Sequence, residues 1–77
     1  MKNQQIRTIE SIKNNINCQI KEAKVELNYW YMMKLFPEFT QNDNFVIETE
    51  ISILKTTIND LKLDRSTLTH IAWKYRD

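Results

Sequence analysis

Not one glycine occurs in the 77 residues, and proline occurs once, at Pro37. Glycine supplies the positive φ that tight hairpin turns and phosphate-cradling loops require. A chain without it is poorly suited to a multi-turn β fold, a P-loop or a dinucleotide-binding turn. Long helices need few turns. Pro37 then becomes the one enforced interruption, because it disfavours helical geometry at Phe36 just before it.

The apolar pattern agrees. Ile6, Ile9, Ile12, Ile16, Ile20, Ala23, Leu27 and Trp30 recur at steps of three and four, the spacing of one coiled-coil-like helix face. Beyond the proline, Ile47, Ile51, Leu54, Ile58 and Leu61 repeat it, and the register continues through Arg65, Leu68, Ala72 and Tyr75. Thr40-Gln41-Asn42-Asp43 resembles a capping box with aspartate in the usual glutamate position. Glu38, Asp43, Glu48 and Glu50 near that helix start, and Lys74 and Arg76 near its end, suit the helix dipole.

The expectation is a single all-α domain over residues 1–77, an antiparallel helical hairpin with helices over 2–36 and 41–63 and a connection over 37–41. Residues 65–76 either continue the second helix or form a short third one, since Asp64-Arg65-Ser66-Thr67 could break and re-cap it. A chain this short has a marginal core. Cys18 and His70 are the only residues of their kinds, so an internal disulfide and a Cys/His metal cage are both excluded. Association remains as the way to add stability, and a homo-oligomer is expected.

From Val25 onward the first helix acquires a second apolar stripe, Val25, Tyr29, Met32 and Phe36, roughly opposite the side holding Leu27, Trp30 and Tyr31. With Met33 and Leu35 filling the gaps, this end is apolar nearly all round. One neighbouring helix cannot cover both sides, so either the C-terminal segment folds back over the stripe or another molecule does. The interface expected from sequence comprises Val25, Tyr29, Trp30, Tyr31, Met32, Met33 and Phe36. Glu38, Asp43, Glu48 and Glu50 form its acidic rim.

Charge is uneven along a chain whose net value is only +1. In an antiparallel hairpin Lys2, Arg7 and Lys13 approach Arg65, His70, Lys74 and Arg76 at the open end. Lys13 and Arg65 occupy seam positions, where a cation must be paired or solvated, and Glu10 is the expected partner. The contrasting reading is an anion site of Lys13, Arg65, His70, Lys74 and Arg76, with Trp73 or Tyr75 stacking on a base.

Catalytic arrangements are weak. Ser66 and His70 share a helix face, but nothing implies an oxyanion hole, and His70 reads as a surface histidine. Cys18, in line with Val25 and Phe36, reads as a half-buried small hydrophobe. Glu48 and Glu50 point to different faces, and Glu22 with Glu26 lack the histidine of a di-metal motif. A recognition helix over Ser66–Arg76 lacks the glycine-containing turn that usually precedes one.

The reading is therefore a non-enzymatic protein–protein interaction module without cofactor. No secretion-type apolar region leads the chain, and the longest apolar stretch is too short to span a bilayer, so a cytoplasmic, non-membrane protein is expected. Abundant Ile, Asn and Lys suggest an AT-rich gene and thus a phage or mobile-element inhibitor that masks a host protein. The alternative is a nucleotide or nucleic-acid binder using the basic open end.

Overall fold

The computed structural model describes the backbone of residues 2–74 and the side chains of residues 4–74. Two helices, α1 (Lys2–Met33) and α2 (Gln41–Lys74), pack along their length as an antiparallel hairpin measuring 58 × 14 × 12 Å. No helix among the described residues is long and apolar enough to cross a membrane.

The seam follows an alternation of three- and four-residue steps. Ile9, Ile16, Ile20 and Ala23 of α1 and Ile47, Ile51, Leu54 and Ile58 of α2 are buried along it, and Ile16, Ile20, Ala23, Leu54 and Ile58 form one cluster. Leu27, Trp30, Leu61 and Leu68 extend the core as half-buried side chains. One assignment needs correcting: Ile12 is 44 % exposed, whereas Lys13 is half-buried. Strict alternation runs from Ile9 to Lys13 to Ile16, and Ile12 lies about 100° round the helix from Lys13, off the centre of that line.

Helix α1 ends at Met33, earlier than residue 36. The Lys34 N–H donates to the Trp30 carbonyl at 3.2 Å, after which the chain tightens. Leu35 N–H donates to Met32 and Phe36 N–H to Met33, at 3.1 and 3.2 Å. Continuing the helix would drive the Pro37 ring into the Met33 carbonyl, four residues back. The tighter bonds satisfy the last carbonyls instead.

Across the bend, the capping box forms as the sequence suggests. Asp43 N–H donates to Thr40 Oγ1 at 3.2 Å, and Thr40 N–H donates to Asp43 Oδ2 at 3.0 Å. Asn44 N–H closes the first turn on the Thr40 carbonyl at 3.0 Å. The bond donated by the Thr40 N–H, with a smaller contribution from the Thr40 side chain, favours the carboxylate and holds the Asp43 pKa below its ordinary range.

Asp64-Arg65-Ser66-Thr67 does not break α2, and no third helix forms among the described residues. The seam keeps its register through Leu61, Arg65, Leu68 and Ala72, and the Thr69 hydroxyl is absorbed by donating to the Arg65 carbonyl at 3.0 Å. With no proline or glycine present, continuing the helix costs less than stopping it.

Candidate functional site

Two contacts fix the pairing of the helices. Lys34 Nζ lies 2.9 Å from Glu48 Oε1 near the bend, and Arg65 Nη1 donates to Asn17 Oδ1 at 2.9 Å near the open end. This register sets Trp30 across from Ile51, Ala23 across from Ile58, Ile16 across from Arg65, and Lys13 across from Leu68.

At the bend, the apolar stripe is uncovered. Tyr29 is 62 % exposed and Met32 57 %, with Val25 and Phe36 exposed beside them. Trp30 and Met33 are half-buried, and Trp30 packs on the core. Because α2 runs straight on, no C-terminal segment among the described residues folds back over the stripe. Phe36 meets Phe39 edge-on with ring centroids 6.1 Å apart, which orders the bend without hiding either ring fully. Leu35, 80 % exposed, lines an open hollow of about 680 Å³ with Asn28, Tyr31 and Met32. Phe45 (73 % exposed), Val46 and Ile53 add apolar surface on α2. These three lie off the seam positions Ile47, Ile51 and Leu54, and that offset was the available sequence signal.

The acidic rim is thinner than expected. Asp43 is occupied by the cap, and Glu48 by Lys34, whose ammonium hydrogen-bonds it and depresses its pKa. Both partners of that pair are exposed enough for solvent screening to keep its stabilising effect small. Glu38 stands exposed and Glu50 half-buried.

At the open end, Lys13, Asn17, Arg65, Ser66, His70 and Trp73 line an open hollow of about 610 Å³, together with Lys62 and Thr69. Lys74 is exposed but outside this lining, and Tyr75 and Arg76 lie outside the described residues. Arg65 takes Asn17 as its partner and not Glu10, which sits two helical turns, about 10 Å, further along α1. Cys18 is exposed and not half-buried, since it shares the outward heptad line of Val25 and Met32. That line is not the side His70 occupies, and the helices do not bring the thiol and imidazole together.

Three side chains absent from the sequence-derived set complete this side of the molecule. Lys24, Lys55 and Lys62 line a second hollow with Leu27, Ile58 and Asn59. Lys55 also lies over the Tyr31 ring, 5.6 Å from its centroid, and borders a third hollow with Lys34, Glu48 and Ser52. Comparison with family models, with curated proteins and with solved structures finds no match for this chain.

Proposed function

We propose that the protein is a non-enzymatic, self-associating interaction module, and that the occupant of its apolar bend end is a second copy of the same chain. The supporting observation is an excess of surface. A compact monomer of 9.3 kDa exposes about 5,000 Å². This hairpin exposes 6329 Å². The difference, about 1,300 Å², exceeds the roughly 800 Å² that each partner contributes to an ordinary protein–protein interface.

Where that surface is apolar decides which part is buried. Val25, Tyr29 and Met32 occupy the outward side of α1, and Phe36 continues the patch into the bend. Aromatic and methionine side chains bury large areas and adapt their shapes, which suits the core of an interface. Pairing two hairpins there yields a four-helix arrangement in which each two-helix core gains a second layer. A second copy also supplies the stability that one short seam lacks.

Its action is steric: the assembled bundle masks a surface on a larger protein and transforms no substrate. A lone exposed thiol, Cys18, suits the reducing cytoplasm. Sedimentation velocity tests the assembly step. The wild-type chain sediments at twice 9.3 kDa or more. Met32→Glu sediments as a monomer with its helical circular dichroism retained, because Met32 takes no part in the hairpin core. A monomeric wild-type chain at 100 μM overturns the proposal.

A further inference from the structure

The three hollows along one side of the seam form a row. The open-end hollow and the middle one share Lys62, and the middle one and the bend-end one share Lys55. The cations lining the row are Lys13, Lys24, Lys34, Lys55, Lys62 and Arg65. Its one carboxylate is Glu48, already bonded to Lys34. Between the charges stand neutral hydrogen-bonding groups: Asn17, Ser52, Asn59, Ser66 and Thr69.

Most other acids sit elsewhere, although Glu10 falls on the heptad line of Asn17, Lys24 and Tyr31 at the groove's open end. Residues immediately after Ala23, Leu54 and Leu61 project to the groove side, and these are Lys24, Lys55 and Lys62. Residues immediately before Leu27, Ile51 and Arg65 project to the other side, and these are Glu26, Glu50 and Asp64. A net charge of +1 therefore conceals a hairpin whose groove flank is mostly basic and whose opposite flank carries Glu26, Glu50 and Asp64.

We infer that this basic groove binds single-stranded nucleic acid. From Lys13 to Lys34 it runs about 32 Å, the axial length of roughly nine stacked nucleotides. A small anion needs two or three converging donors, whereas cations spaced along a channel match a polyanion. The end of the row supplies the second element of single-strand recognition, an aromatic platform. Trp73 is 67 % exposed and lines the groove beside Arg65, Ser66 and His70, so its indole face is open to a stacked base. Tyr31, at the other end, is held under the Lys55 ammonium and sets that cation in place. A purely acidic chain such as polyglutamate would use the lysines but has no aromatic ring to stack on Trp73. A duplex keeps its bases stacked on one another and unable to reach it.

The groove and the self-association patch adjoin at Tyr31 and Lys34, but Lys24, Lys62 and Trp73 belong only to the groove and Met32 only to the patch, so each can fail alone. The test is fluorescence anisotropy with the full chain and three probes: a labelled 20-nucleotide oligothymidylate, a 20-base-pair duplex and labelled polyglutamate. The single strand binds tightest, and log affinity falls against log salt with a slope of about −3.5, as about five phosphate contacts require. Lys24→Glu with Lys62→Glu, both on exposed positions, lowers affinity at least about tenfold with helicity unchanged. Trp73→Ala lowers it at least about fivefold. Met32→Glu retains binding to the single strand. The inference is overturned by no binding at 100 μM protein in 50 mM salt. It is equally overturned if polyglutamate or the duplex binds as well as the single strand, or if the double lysine variant binds normally.

Discussion

The bend end and the open end of this hairpin are built on one heptad alternation yet filled differently. Toward the bend the seam holds Trp30, Ile47 and Ile51, a capping box locks the start of α2, and apolar side chains spill over onto the outer surface. Toward the open end, Lys13 and Arg65 interrupt the hydrocarbon, and Ile9 is the outermost buried residue among those described. An apolar surplus at one end calls for an apolar neighbour. A cation in the seam reaches sideways for a partner, as Arg65 does to Asn17. The same periodicity thus yields an exposed apolar patch at one end and an open hollow lined by cations at the other.

The contrast can be broken most violently at the centre. Ile20 and Ile58 are 5 % and 6 % exposed, so Ile20→Ala leaves a hole costing about 2–5 kcal/mol. In so small a domain that is most of the folding free energy, and circular dichroism at 25 °C should show a largely unfolded chain. Arg65→Leu sharpens the comparison from the other side by making the open end resemble the bend. Apolar burial at this half-buried position is worth about 1 kcal/mol, raising the melting temperature by about 5 °C while weakening single-strand binding. A fall in melting temperature would mean that the Asn17 bond contributes more than the hydrocarbon would.

The smallest effect is at the capping box. The folded-state pKa of Asp43 is depressed by its bonds to Thr40. Its contribution is therefore complete above the unfolded value, about 3.9, and is lost as pH falls through the folded value. An acid titration of thermal stability should show a component in that window that disappears in Asp43→Ala.

Much of the fold was legible because a heptad alternation bounded by one proline leaves few alternatives. Thr40 and Asp43 were readable as reciprocal caps from their three-residue spacing alone. Ile12 and Lys13 both fall within three or four residues of Ile9, and residue type favours the isoleucine although strict alternation through Ile16 gives the seam to Lys13. Straight continuation through Asp64–Thr67 was ambiguous, since Asp, Ser and Thr cap helices as readily as they occupy them, and tertiary packing decided it. The apolar bend end was visible in the residue types. The basic groove was not, because charge was summed along the chain. Lys24, Lys55 and Lys62 come together only when the two helices are laid side by side in register, and the carboxylates of neighbouring residues cancel them in any linear window.

In the proposed assembly a second copy covers the apolar stripe and adds stability to a hairpin that folds, less firmly, on its own seam. The most direct test follows thermal unfolding of the wild-type chain over a hundredfold range of protein concentration. Coupled folding and association predict a melting temperature that climbs by several degrees with concentration, an increase absent in Met32→Glu. A wild-type melting temperature constant across that range would show that the hairpin stands alone, with its apolar stripe open to water.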